Sequence, residues 1–199
     1  MKFLMLGLYL SLCLYCSNVA WAEGSTTHLV DHKTTGASLI GGAFNLIDNN
    51  GMPVTEKNYQ GKYMLVFFGF THCPNVCPLG LQRMAVALNN INDFESSITP
   101  IFISVDPERD TPERMTHYLK QFHPSFVGLT GTEEQLKQVA KVYRAYYFKS
   151  QDPNSDAYSY DHSSIIYLMD KQGNYLTHFS DTTAIAEMSA IIRQHIEGM

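Results

Sequence analysis

Tryptophan is almost missing from this 199-residue chain: the single one, Trp21, lies in the apolar N-terminal stretch. A glutathione-peroxidase-like site needs a tryptophan, so that chemistry is excluded for the rest of the chain. Cysteine is nearly as scarce, with four in all, and two of them, Cys13 and Cys16, fall in the same N-terminal stretch. The methionines are scattered and form no methionine-rich metal tract. Positive charge is short too: 14 Lys and Arg against 19 Asp and Glu give a net charge of −5, which argues against nucleic acid as a partner. No internal repeat is present, and a composition that is 45% hydrophobic and 17% charged suits one globular domain rather than a disordered or fibrous chain.

The N-terminal stretch carries one positive charge at Lys2, an apolar run from Phe3 to Cys16 and a small-x-small site at Ala20-Trp21-Ala22. This is the pattern of an export signal occupying residues 1–22 and cut after Ala22, which implies a periplasmic protein. Left uncut, the uncharged run from Phe3 to Ala22 is just long enough to anchor the chain in the inner membrane. Tyr15 is too large for the small residue expected before a lipidated Cys16. Removing the leader leaves only Cys73 and Cys77, and two cysteines in an oxidising compartment are either paired or hold a metal. Glu23 to Ser38 is polar and aperiodic, a flexible leader carrying His28 and His32, and the folded domain is expected at 39–199.

The centre of that domain is Tyr63 to Leu88. The run YMLVFFGF at Tyr63–Phe70 is the pattern of a strand covered on both faces. A helix follows, with Pro78 suited to its first position and Leu81, Met84, Ala85, Leu88 and Ile91 on one face. Cys73 and Cys77 therefore lie at a strand-to-helix junction, where free N–H groups and the positive helix end favour a thiolate.

Around this centre, Phe44–Ile47, the turn Asp48-Asn49-Asn50-Gly51 and Met52–Thr55 make a hairpin. Ile98–Val105 is a second buried strand, and Thr111 with Pro112 starts a helix running to about Phe122. Two strand-helix units in succession imply parallel neighbours. Thr132 and Gln135 form a capping box for a further helix with Leu136, Val139, Ala140 and Tyr143 inward. Ser150–Tyr160 reads as an exposed polar loop, and Ser163–Met169 as a third core strand. A turn at Lys171-Gln172-Gly173 leads to Tyr175–Phe179, and a closing helix uses Ile185, Met188, Ile192 and Ile196. This order fits an α/β, thioredoxin-like fold of the peroxiredoxin-like variant, with a central mixed sheet, an N-terminal hairpin and an inserted helix and loop.

The Cys-x-x-x-Cys pair has three readings: a structural disulfide, a redox pair exchanging electrons with other thiols, or two thiolates holding a soft ion such as Cu(I) with a third ligand from elsewhere. A peroxiredoxin site is set aside, because Phe70 and Pro74 stand three positions before the cysteines where Thr or Ser is needed. His162 is the candidate third ligand, at the mouth of the third core strand and on the same rim of the sheet. It occupies the place of the usual thioredoxin cis-proline, and Tyr158–Met169 contains no proline. The competing reading is a surface histidine held by Asp161 or a serine. His72 reads as a polar edge at the rim. Zinc also binds two cysteines and a histidine, but no fourth ligand is near these motifs.

Three motifs in order carry a resemblance: Gly61 through Thr71-His72-Cys73-Pro74-Asn75-Val76-Cys77-Pro78, then Ser104-Val105-Asp106-Pro107-Glu108-Arg109-Asp110-Thr111, then Asp161-His162-Ser163 with Tyr167-Leu168-Met169-Asp170. The chain resembles the Sco/SenC family of copper-binding, thioredoxin-like proteins that assist assembly of cytochrome c oxidase. The resemblance implies that Cys73, Cys77 and His162 are copper ligands and that Cys73 and Cys77 also cycle between dithiol and disulfide. It implies a copper ion as cargo, the copper-bearing oxidase subunit as partner, and Asp106 and Asp110 flanking the site. Those two aspartates equally suit a turn and helix-start network around Arg109 and Thr111. Asn75 and Gly80 depart from the family, standing where acidic residues are frequent. A monomer is expected, and a thiol-disulfide oxidoreductase acting on exported proteins is the alternative function.

Overall fold

The apolar run at the centre of the chain does become the middle of a sheet. In the computed structural model, which describes residues 40–151 and 157–198, strand β3 (Tyr63–Gly69) is buried at every residue after Tyr63. It pairs in parallel with β4 (Ile98–Ser104) and antiparallel with β8 (Ile166–Met169). The remaining strands are β1 (Asn45–Asp48), β2 (Pro53–Thr55), β5 (Val127–Thr130) and β9 (Tyr175–Phe179), giving a seven-stranded mixed sheet in the order β2-β1-β5-β4-β3-β8-β9. The stretch expected as an export signal at 1–22, the expected leader with His28 and His32, and the segment 152–156 lie outside the described residues.

Successive side chains of a strand point to opposite faces, and β3 shows what each face meets. Phe67 lies against helix α1 (Val76–Asn89), where a Cβ on Gly80 would stand 2.7 Å from its ring. Phe68 packs on Tyr143 of helix α4 (Glu133–Tyr143), with ring centroids 5.5 Å apart. Helices thus cover both faces, which is why the strand reads as an unbroken apolar run. Helix α1 turns Leu81, Met84, Ala85 and Leu88 into the core and packs against the closing helix α5 (Ile185–Glu197). A short helix α2 (Phe94–Ser97) leads into β4, and α3 (Pro112–Leu119) packs on β5.

Several expectations hold in detail. Thr111 caps α3 with Pro112 in its first turn, and Thr132 with Gln135 closes the capping box of α4. The first hairpin and the Lys171–Gly173 turn also form as expected.

Other expectations are corrected. Helix α1 begins at Val76, so Pro78 sits third rather than first and Cys77 lies within the first turn. Helix α3 ends at Leu119, before Phe122, and the chain leaves it through turns in which the N–H of Gln121 donates to the carbonyl of Tyr118 and that of Phe122 to the carbonyl of Leu119. The polar stretch expected as a loop is instead part of a two-stranded ribbon, β6 (Tyr147–Gln151) and β7 (Tyr158–His162). The third core strand begins only at Ile166, so His162 ends β7 rather than opening β8.

Candidate metal centre

The cysteine half of the site is set by close packing at the end of β3. The chain turns after Gly69, with the N–H of Cys73 donating to the carbonyl of Phe70 at 3.2 Å. Helix α1 then brings Cys77 back so that its sulfur lies against the strand. A Cβ on Gly69 would stand 2.6 Å from that sulfur and 2.9 Å from the Phe102 ring, so glycine is required there by close approach. The sulfur of Cys77 is fully buried and accepts the Phe70 N–H at 3.5 Å. The sulfur of Cys73 is half-buried and accepts the N–H of Cys77 at 3.3 Å.

The histidine half arrives on the ribbon. Side chains two apart in a strand share a face, so Tyr158, Tyr160 and His162 form a row on β7. Tyr160 and His162 both stand on Phe70, with centroids 5.5 and 5.8 Å away, and His162 also meets Phe67 edge-on at 6.2 Å. This row places Nε2 of His162 3.0 Å from the sulfur of Cys77. The other ring nitrogen, Nδ1, lies 3.1 Å from the carbonyl oxygen of Ser163. A carbonyl only accepts, so Nδ1 carries a proton, and Nε2 is the ring nitrogen that faces the sulfurs.

One ligand atom from each of Cys73, Cys77 and His162 can be chosen so that all lie within 4.8 Å of one another. The two cysteines are free thiols. Their environments pull their acidities apart. The hydrogen bond from Cys77 holds the Cys73 thiol down at about 3, with His162 and the N–H groups of Cys77 and Asn75 adding to it against partial burial. Burial, joined by the neighbouring Cys73, pushes the Cys77 thiol up. The first proton of the pair is therefore lost at Cys73, and Cys77 supplies the thiol that stabilises it.

Around the thiols, the loop between β4 and α3 is a closed network. Asp110, fully buried, accepts from the N–H of Thr71 at 3.0 Å, from its hydroxyl at 2.6 Å and from the hydroxyl of Ser104 at 2.7 Å. Burial raises its pKa above the ordinary carboxylate value despite those donors. Asp106, also fully buried, pairs with Arg109 and accepts from the hydroxyl of Tyr158 at 3.0 Å. Both readings of these aspartates thus hold in part: they flank the site, and they do so as a turn network. His72 faces this network, its Nδ1 3.9 Å from Asp110, and its place at the rim matches the polar-edge reading. Gly80 cannot carry a side chain without displacing the Phe67 ring.

The role of Tyr158 in this network escaped the sequence reading. The signal was there, since Tyr158-Ser159-Tyr160-Asp161-His162 alternates aromatic with polar residues at the period of a strand.

A family model described as SCO1/SenC matches residues 32–197. The chain belongs to this family. The mitochondrial SCO1 homolog 1 of Arabidopsis thaliana is 46% identical over 144 residues, covering 72% of this chain and 43% of that protein. The human mitochondrial SCO1 homolog is 42% identical over 163 residues, covering 81% of this chain and 54% of that one. The chain thus spans about half the length of these curated relatives. Among solved structures, Arabidopsis thaliana ScoI with copper bound is similar at a TM-score of 0.75 and 42% identity, over 80% of this chain and 99% of that one. The fold is the thioredoxin-like fold of these Sco proteins. No helix among the described residues is long and apolar enough to cross a membrane.

Proposed function

We propose that the chain binds copper through the sulfurs of Cys73 and Cys77 and Nε2 of His162, and delivers it to the copper-bearing subunit of cytochrome c oxidase during assembly. One observation carries this reading: ligand atoms of three residues, with His162 85 positions from Cys77, converge within 4.8 Å of one another. Two soft sulfurs and one imidazole suit Cu(I). Structural zinc takes four protein ligands, and no fourth His, Cys, Asp or Glu joins this group among the described residues. Three donors leave a place for an incoming ligand, so the cargo passes by exchange onto thiols or imidazoles of the receiver. Oxidation of the pair to a disulfide removes both thiolate donors, and redox state gates loading. The oxidase partner comes from the family resemblance, and copper binding is supported by the copper-bound relative. Export to the periplasm is proposed from the N-terminal pattern, with the signal at 1–22 and the domain at 39–199.

A second reading, thiol-disulfide exchange on exported proteins, is favoured by one contrast. Cys73 is partly buried and held as a thiolate, while Cys77 is fully buried behind it, the arrangement of an attacking and a resolving thiol.

The test is a titration of the reduced protein with Cu(I) against a competing chelator, repeated with Cys73→Ser, Cys77→Ser and His162→Ala. A one-to-one complex lost in all three variants is expected. Wild-type affinity in His162→Ala would overturn the copper reading, and retained reduction of a model disulfide by that variant would leave the exchange reading standing.

A further inference from the structure

The strand that carries His162 is held at its other end by a clamp. The hydroxyl of Tyr158 donates to Oδ1 of Asp106 at 3.0 Å, and its carbonyl oxygen accepts from Nη1 of Arg109 at 3.2 Å. The guanidinium carbon of Arg109 and the Nζ of Lys149 each lie 3.8 Å from the centre of its ring. Both cations are balanced: Arg109 pairs with buried Asp106, and Lys149 reaches both carboxylate oxygens of Glu108 at 3.1 and 3.3 Å. The loop that supplies Asp106, Glu108 and Arg109 also supplies Asp110, which holds Thr71, two residues before Cys73. One loop therefore grips both halves of the site.

The ribbon needs such a grip. Neither β6 nor β7 pairs with any strand of the seven-stranded sheet. Beyond its own ladder, β7 rests on Phe70 and Phe67 through ring contacts, which resist separation but are poor at stopping a strand from sliding. Hydrogen bonds at both the hydroxyl and the carbonyl of Tyr158 do stop sliding. A slip of the ribbon along Phe70 would carry His162 away from the cysteines.

We infer that Tyr158, held by Arg109 and Asp106, is a positioning residue that sets the distance of His162 from the two cysteines and thereby how long copper is retained. The role rests on the copper reading. Tyr158 stands four residues from His162, about 13 Å along a strand, and acts through β7 rather than on the ion.

The test pairs Tyr158→Leu, which removes the ring faces and the hydroxyl, with Tyr158→Phe, which keeps both cation-ring contacts. Tyr158 is only half-buried, so neither change opens the core. Two quantities are read: Cu(I) dissociation into a chelator, and amide hydrogen exchange over 158–162 in the copper-free protein. Tyr158→Leu is expected to weaken Cu(I) about ten- to hundredfold, mainly through faster dissociation, as for other residues that orient a ligand from behind. It is expected to speed exchange across β7 while leaving β3 and α1 unchanged, with Tyr158→Phe between the two. Wild-type dissociation and exchange in Tyr158→Leu, alongside loss of copper in His162→Ala, would overturn the clamp and leave the copper reading intact. Wild-type affinity in His162→Ala would remove the copper reading first, and this role with it.

Discussion

The sulfur of Cys77 is wedged between a helix and the central strand, fully buried, against Gly69 and Phe102. The ring of His162, whose Nε2 lies 3.0 Å from that sulfur, stands half-buried at the end of a ribbon that belongs to no larger sheet. The cysteine half inherits its position from the core, so it cannot shift without disturbing the packing of β3. The histidine half is placed by contacts with two core rings, Phe67 and Phe70, and by one clamp. Under the proposed copper role this asymmetry would let one ligand withdraw on its strand while the two sulfurs stay in place.

The comparison breaks most visibly in chemistry. With its thiol held at about 3, Cys73 is a thiolate throughout the neutral range, and its iodoacetamide alkylation in the reduced protein is expected to be flat from pH 5.5 to 8. An unperturbed thiol with a pKa near 8.5 would lose thiolate by roughly 250-fold between pH 8 and 5.5. The hydrogen bond from Cys77 is the largest cause, so Cys77→Ala should restore more of that pH dependence than His162→Ala does.

Stability is the next place to look. Phe67 is fully buried under Gly80 of α1 and also meets Phe102 and His162. Phe67→Ala is expected to cost about 3–5 kcal/mol, measured by urea unfolding, as for other buried aromatics. Gly69→Ala comes next. Its Cβ must push the Cys77 sulfur or the Phe102 ring aside, with an expected loss of about 1–3 kcal/mol in the same assay. Weaker Cu(I) binding should accompany it, since the sulfur moves.

The smallest effect belongs to the outer face of the ribbon. Phe148 is 47% exposed and meets Tyr146 edge-on at 5.7 Å. Phe148→Ser is expected to change stability by less than about 0.5 kcal/mol. A loss of several kcal/mol there would show that the ribbon is as deeply anchored as the cysteine half and would erase the contrast.

Legibility in the sequence followed the same division. Strand β3, the apolar face of α1 and the caps at Thr111 and Thr132 are local patterns, and each was readable from a window of a few residues. Strand β5 was missed because Val127-Gly128-Leu129-Thr130 is short and has a glycine inside it. That glycine is there for packing: a Cβ would stand 2.9 Å from Leu119. The ribbon was missed because polarity dominated Ser150–Tyr160 and hid the period-two alternation of Tyr158, Tyr160 and His162. The joining of Asp110 to Thr71 and of Asp106 to Tyr158 spans 39 and 52 residues, and no local pattern encodes contacts of that range.

By itself the amino-acid order determined which side chains are available for chemistry and where most helices and central strands begin, because hydrophobic period, caps and prolines act within a turn or two of chain. It also singled out Cys73, Cys77 and His162 as a set. Only the tertiary structure decided that these three meet, that Cys77 is buried while Cys73 keeps access to solvent, and that one loop secures both halves. Those facts depend on how sheet and ribbon pack around Phe70, and distance in space between remote residues is settled by packing rather than by spacing along the chain.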